Sequence, residues 1–549
     1  MATPPAPVDP PANPGKPLVT AAARNEPELN RPGRTHRQAA PPSLFRYSPG
    51  LVLISIAIAD GIRIADPDLW GHVRFGQDIL RAHRLILYDT FTYSVPGHFW
   101  TDHEWLSQVL LAASFNWLGV TGLVLLKLAC TAALAVFMVL AVSETEAPPV
   151  YQFGVFLFCA VVVKPQIQFR PQMFTFALFA AVIWLLTRDA YRRTGRLWLA
   201  IPILAVWANL HGAFIMGIAA LGIYGATAGA ADWWNGRGWR RAIELGTVTG
   251  AAALATLATP YGIVTWLAIA HALGDPYLRA TITEWEPLSS ELMRSWHQHG
   301  PRISNYEIGV LLMAATAGSW SLTIEAADLP LIAIAAMMSW AAFYTKRNLP
   351  FAAIAMSPPL ARHLAVFLKQ PRGGAKQFLV PRKRSWWINQ GVLVTLSAFI
   401  FVHSGLLSTS LKSPDPCPSG ACAFMKQHRL SGNILNDFDW GEYLIWHMAP
   451  DSKIFIDGRN DTVFPIRTIA RYVAFNFDLH GAAKVLSAYP HDYVLISPES
   501  KSRKLMETRR DWVLIYHDED ALLYARRGSA AAKIPGVPVA GKPLPCRFP

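Results

Sequence analysis

Residues 64–72 read Ile64-Ala65-Asp66-Pro67-Asp68-Leu69-Trp70-Gly71-His72, and they stand where the first long apolar run of the chain ends. That run, Leu51 to Ile64, is already broken by Asp60 and Arg63, so its end is polar before Asp66 arrives. Two carboxylates directly after an apolar segment lie at a membrane surface, where chemistry on a lipid-linked substrate needs them. Asp and Pro are also ordinary residues at a helix boundary, so the triplet by itself reads equally well as a capping turn.

Composition extends the membrane reading to most of the chain. Of 549 residues, 52% are hydrophobic and 16% charged, where an average soluble protein carries about 25% charged residues. A helix needs about 20 apolar residues to cross a bilayer. Apolar runs predict helices near residues 48–65, 120–142, 150–163, 171–187, 197–210, 212–231, 242–259, 305–322, 329–344, 350–366 and 387–408, about eleven crossings. The net charge of +13 does not point to nucleic acid. Its basic residues gather in three loops, around Arg188 to Arg196, Arg237 to Arg241 and Lys369 to Arg384. With the N-terminus inside, all three fall on the cytoplasmic face, as the positive-inside rule requires. The expected setting is the cell (inner) membrane. An odd number of crossings then puts everything after Leu411 outside, together with residues 66–117.

Four regions follow. Residues 1–46, rich in Pro and Ala and without an evident cleavable signal, predict a disordered cytoplasmic arm. Residues 47–409 form the transmembrane domain, whose long first external loop, 66–117, is too polar to span. Leu69, Val73, Gly76 and Leu80 share one helical stripe there, and a second helix is expected from Glu104 to Trp117, so the loop reads as an ordered lid. Residues 410–527 alternate short β-rich runs with helical stretches, as a small extracytoplasmic α/β domain does. Residues 528–549 read as a disordered tail. Cys417 and Cys422 flank a short turn and suit either a small disulfide or two free thiols.

Several external segments carry polar residues that are costly near lipid. Lys346-Arg347 lies outside, against the positive-inside trend, and suits either a phosphate at headgroup level or anionic lipid. Asp102-His103-Glu104 closes the first loop. One carboxylate there can serve as a general base while another orients it, or Asp68, His103 and Glu104 can ligate a divalent cation, magnesium or manganese, although their spacing matches no recognised metal motif. His211, in the tight turn after Asn209, is the kind of histidine that more often holds a turn together. Trp285, between Glu284 and Glu286, suits a sugar face or the interface.

In this order, Asp66-Pro67-Asp68-Leu69-Trp70-Gly71-His72, Asp89 to Ser94, His103-Glu104-Trp105-Leu106, Arg170-Pro171-Gln172, Asn209 to Gly212, Thr259 to Gly262, Glu284-Trp285 and Lys346-Arg347-Asn348 resemble a large family of bacterial multi-pass membrane proteins related to the GT-C glycosyltransferases. Asn436-Asp437, Trp440-Gly441, Tyr443-Leu444 and Asp457-Gly458-Arg459 continue the resemblance, which runs from about residue 50 to 527. Where that family tends to carry a second Trp after Trp70, this chain has Gly71. The resemblance implies a cell-envelope enzyme, a hexosyl or pentosyl transferase, that moves a sugar from a polyprenyl-phosphate carrier to a saccharide, lipid or protein acceptor on the outer face. It implies Asp66 or Asp68 as the base, and which of the two takes the proton stays open; with Asp66 as the base, Asp68 or Glu104 positions it, and His103 stands beside them. Arg170, Lys346 and Arg347 then neutralise the leaving phosphate. His72, Trp70, Asn209, His211, Glu284 and Trp285 are the substrate-binding candidates. In the outer domain Asp437, Trp440, Asp457 and Arg459 either bind an acceptor sugar or lock the domain onto the lid. A flippase for a lipid-linked saccharide and a non-catalytic assembly protein are the competing readings.

Overall fold

The computed structural model describes residues 1–3, 64–274, 282–300, 303–323, 328–368, 410–413, 415–534, 537–538 and 545–549. The expected arm (apart from residues 1–3), the basic loop 369–384 and the expected spans at 48–65 (apart from Ile64 and Ala65) and 387–408 lie outside them. The described residues from Ile64 onward belong to one compact unit, Leu44–Pro549.

The helices of the first half are α1 (Leu69–Ala82), α2 (Trp105–Ser143), α3 (Pro149–Val163), α4 (Gln172–Arg192), α5 (Ala200–Leu210), α6 (Phe214–Trp234), α7 (Arg240–Ala255), α8 (Ile263–Gly274), α9 (Leu288–His299), α10 (Asn305–Thr323), α11 (Leu329–Tyr344) and α12 (Leu349–Phe367). Among the described residues, α2, α4 and α6 are long and apolar enough to cross a membrane. α2 has 39 residues, about twice what one crossing takes. Gly119 breaks it with φ 59°, which only glycine adopts without strain, and so divides the expected lid helix from the expected span. α8 and α9 fall in a segment that sequence patterning leaves as a loop.

α1 is amphipathic, burying Leu69, Trp70, Val73, Phe75 and Ile79. It packs on the start of α2 and on a helix of the C-terminal region, so the first loop is folded against both. At the far end of α4, Glu144 pairs with Arg188 and Arg192, and Asp232 with Arg193 and Arg237. The basic cluster therefore sits at the end of α4 opposite to its start at Gln172.

The C-terminal region contains β1 (Leu411–Lys412), α13 (Ser419–Gln427), β2 (Asn433–Asn436), α14 (Gly441–Met448), β3 (Lys453–Ile454), α15 (Ile466–Asn476), α16 (Ala482–Ala488), β4 (Tyr493–Ile496), α17 (Ser502–Thr508), β5 (Trp512–His517), β6 (Leu522–Arg526), β7 (Val537–Pro538) and β8 (Arg547–Phe548). Six strands form a mixed sheet in the order β3-β2-β4-β6-β5-β7. The α/β character is as expected. The described end of the chain differs from the expected tail: β8 pairs antiparallel with β1, and Cys546 is bonded to Cys417. Cys422 is a buried free thiol, so the disulfide bridges 129 residues of chain instead of one turn.

Candidate functional site

α1 starts with Asp68 at its N-cap position, but the Asp68 side chain makes no capping bond. It turns instead to Arg170, in the bend before α4, whose Nη2 lies 3.0 Å from Asp68 Oδ2. Arg170 Nε donates to Asp66 Oδ1 at 2.5 Å, and its Nη1 lies 3.3 Å from Glu284 Oε1. One guanidinium thus holds three carboxylates. Asp66 Oδ1 also accepts from the Asp68 backbone N–H at 3.0 Å, which fixes the turn.

Burial, opposed by Arg170, lifts Asp66 to about 6. Burial also raises Asp68, with Arg170 opposing and Glu284 adding to the rise. For Glu284 burial works upward too, but Arg170 and Arg347 overcome it and hold the group below its ordinary value.

Asp68, Arg170 and Glu284 face a cavity of about 460 Å³. Its walls come from the first loop, the α5–α6 turn, α8, residues 282–285, the turn before α12 and the C-terminal region. Asp68 lines it, and Asp66 lies behind the wall. Arg347 lines it as well, donating to Gln172 Oε1 at 3.3 Å with its guanidinium 5.2 Å from the Trp285 ring. Among the described residues no carboxylate lies within ion-pair distance of Arg347. Glu104 also lines the cavity, with its Oε1 3.5 Å from His211 Nε2 and 3.8 Å from His103 Nε2. The backbone N–H of Ala213 donates to His211 Nδ1, which places the ring proton on Nε2, toward Glu104. Burial keeps His211 well below its ordinary value, and hence neutral.

No family model and no curated protein matches the sequence. Solved structures do. The oligosaccharyltransferase AglB from Archaeoglobus fulgidus, in complex with an inhibitory peptide and a dolichol-phosphate, is similar with a TM-score of 0.51 at 11% identity, over 82% of this chain and 69% of that one. The fold is of the GT-C type. The same archaeal protein tethered to an acceptor peptide gives the same values. ArnT from Cupriavidus metallidurans bound to undecaprenyl phosphate is similar at a TM-score of 0.43 and 11% identity, over 88% of this chain and 98% of that one.

Within this GT-C fold, the cavity brings together Asp68, His72, His103, Glu104, Arg170, His211, Glu284, Trp285, Arg347 and Arg459 of the residues expected from sequence. Others are placed elsewhere. Lys346 turns away from Arg347, its Nζ 2.5 Å from Glu291 Oε2 and 3.5 Å from Glu286 Oε2, so its charge is spent inside the α9 packing. Trp70 is 1% exposed and packs on Tyr443 and Phe548 as core. Asn209 accepts from Trp105 Nε1 and donates to the carbonyls of Ala205 and Ala258, which makes it a brace between helices. Asp437 accepts from the Ser497 backbone, and Trp440 donates to the Pro416 carbonyl. Asp457 lies behind Arg459 of the cavity wall, and the two form the lock: Arg459 bonds Asp457 and, at 2.7 Å, Asp89 of the first loop.

Asp68, His103 and Glu104 do not converge as metal ligands. Among the described residues no group of three or more His, Cys, Asp or Glu is arranged to hold a metal ion, and Arg170 already occupies the space between Asp66 and Asp68. Sequence reading missed Asp439 and Glu442, which line the cavity from the C-terminal region. An acidic residue directly before the apolar run Tyr443-Leu444-Ile445-Trp446 was the signal for Glu442.

Proposed function

We propose that this protein is a membrane glycosyltransferase that moves a sugar from a polyprenyl-phosphate carrier to an acceptor hydroxyl on the outer face of the cell membrane. One observation carries the reading: Asp68, a carboxylate, and Arg347, a cation with no carboxylate at ion-pair distance among the described residues, face the same cavity. The archaeal protein of similar fold was solved with a dolichol-phosphate and a peptide, which supports a lipid-linked donor and leaves the acceptor here to chemistry.

In the proposed reaction Asp68 takes the proton of the acceptor hydroxyl as its oxygen attacks the anomeric carbon. The bond from that carbon to the carrier phosphate oxygen breaks, and the phosphate leaves with the electron pair. Arg347 neutralises the charge that develops on it, and Trp285 stacks under the sugar or the guanidinium. Asp66 and Arg170 hold Asp68 in place, and Glu104 with His211 and His103 forms the polar floor. The Lys346 and metal roles expected from sequence are not part of this proposal.

Purified protein in lipid nanodiscs, supplied with undecaprenyl-phosphate-linked sugars and hydroxyl acceptors, tests it. Release of the carrier phosphate with formation of a glycoside is the expected result. Movement of the intact carrier across vesicles without release supports a flippase instead. Neither result, with the protein folded, supports the assembly role.

A further inference from the structure

Glu442 reaches the cavity through a gap that α1 leaves for it. It sits in the first turn of α14, is 3% exposed, and lines the cavity wall. Its side chain lies directly over Gly71, where a Cβ would collide with the Glu442 Cγ. Any larger residue at 71 closes that gap, so the glycine and the glutamate are one arrangement. Oε1 accepts from the Gly458 backbone N–H at 2.7 Å. Oε2 is buried and has no hydrogen-bond partner among the described residues. Gly458 lies between this carboxyl and that of Asp68: a Cβ there would come 2.6 Å from Glu442 Oε1 and 3.0 Å from Asp68 Oδ1.

An ionised carboxylate with one unpaired buried oxygen is costly, the more so near other negative charges. Asp68 precedes α1, Asp457 follows β3, and Asp439 precedes α14. Against them stand His72, whose burial lowers its affinity for a proton, and Arg459, which is committed to Asp457 and Asp89. Burial, reinforced by Asp68 and Asp457, raises Glu442 well above the ordinary carboxyl value. A neutral carboxylic acid carries one O–H donor.

We propose that Glu442 is an acceptor-binding residue whose Oε2–H donates a hydrogen bond to one hydroxyl oxygen of a carbohydrate acceptor, while Asp68 receives the proton of a neighbouring hydroxyl. This rests on the glycosyltransferase reading and deepens it. Two carboxyls on either side of one glycine address two ligand oxygens close together. Adjacent hydroxyls of a sugar supply such a pair, and a lone alcohol does not.

The test compares Glu442→Gln, which keeps a donor of the same size, with Glu442→Met, which does not. Both are assayed in nanodiscs with an undecaprenyl-phosphate-linked sugar as donor, and with an alkyl glycoside or the matching alkyl alcohol as acceptor. Glu442→Met should raise the glycoside KM about tenfold, the worth of one hydrogen bond, and leave the donor KM and the alcohol KM where they were. Glu442→Gln should raise the glycoside KM less, and should lose the fall in rate that the wild type shows as pH rises through the Glu442 pKa. A wild-type glycoside KM in Glu442→Met overturns the proposal, as does a Gln variant that is as impaired as Met and keeps the alkaline fall. If Asp68→Asn has no effect either, the parent reading has failed, and infrared spectra separate the two. A protonated-carboxyl carbonyl band that wild type shows at neutral pH and Glu442→Gln lacks supports the neutral acid. No difference between the spectra overturns it.

Discussion

Asparagine at position 68 or at position 66 separates the base from its support. Asp68→Asn removes the proposed general base, which costs about 10²- to 10⁴-fold in kcat, equivalent to about 3–5.5 kcal/mol on the barrier. Asp66→Asn keeps the base and loosens its anchor. The Asp66–Arg170 contact, at 2.5 Å, is a hydrogen bond between charged groups, worth about 1.5–3 kcal/mol. Arg170 retains Asp68 and Glu284, so the lower end applies and the rate should fall about tenfold. The double variant should lose less than the product of the two, because both act through Arg170. The acid side of the pH profile adds a sign. The base works ionised, so the rate falls as pH drops through the raised Asp68 pKa; in Asp66→Asn, Arg170 serves fewer carboxylates and that fall moves to lower pH. Initial rates of carrier-phosphate release in nanodiscs measure all of this. Wild-type turnover in Asp68→Asn, or a larger loss in Asp66→Asn than in Asp68→Asn, refutes the assignment and returns the proton to Asp66.

Arg347→Ala should lower kcat about 10²-fold or more, as loss of a charge aimed at the leaving group does, whereas Lys346→Met should lower thermal stability and leave the turnover of the folded protein unchanged; equal kinetic losses in both would show that Lys346 reaches the phosphate. Arg459→Met strips the cation from Asp457 and Asp89. Asp89 keeps bonds from the Phe91 and Thr92 backbones and the Thr92 hydroxyl, so most of the cost, about 3 kcal/mol, falls on Asp457 and should be partly recovered by adding Asp457→Asn; a denaturation midpoint equal to wild type would contradict the lock. Asp102, which burial and the Glu104 charge lift to about 8, binds a proton in the folded protein that the unfolded chain has released between about pH 4 and 8, so its contribution to stability declines as pH rises through that window. Asp102→Asn should flatten that decline in thermal melts recorded across the window, and an unchanged slope would place the titration elsewhere.

Apolar runs located the helices well because lipid and core both demand unbroken hydrophobic stretches. The expected run 329–344 coincides with α11, and 350–366 with α12 to within a residue at each end. α8 was illegible for the opposite reason: 12 apolar residues are too few for a crossing, and nothing local says that they line a cavity instead. The site was legible as a set of loop segments and illegible in direction. Lys346 and Arg347 are neighbours in one three-residue turn, where no periodicity decides which faces the cavity and which faces Glu291. Trp70 was readable as core, since it falls beside Leu69 and Val73 on the buried stripe of α1, but its place between two carboxylates and a histidine drew it toward the site. Cys417 shows the limit of proximity: its partner is Cys546, which no local spacing identifies.

The shift in composition near residue 410 marks a change of secondary structure and not a break in packing. Trp70 and Phe75 of α1 share one hydrophobic core with Leu435, Leu444, Phe455 and Phe548 of the C-terminal region. Ile64 bridges Lys412, Thr92 bridges Ile454, and Tyr93 bonds His491 at 2.5 Å. Arg459 stands among Phe75, Phe91 and Trp100 of the first loop, its guanidinium 4.8 to 5.4 Å from the three rings. A cation enclosed by rings from one segment and carboxylates from both is held by geometry that neither segment supplies alone. The first loop therefore depends on the α/β region for its fold, and Asp68 and Glu442, one from each, meet across Gly458 because that shared core puts them there. Cutting the chain at 410 would remove Glu442 and also expose the buried face of α1, so the carboxylates of the opening triplet would lose their positions before any question of an acceptor arose.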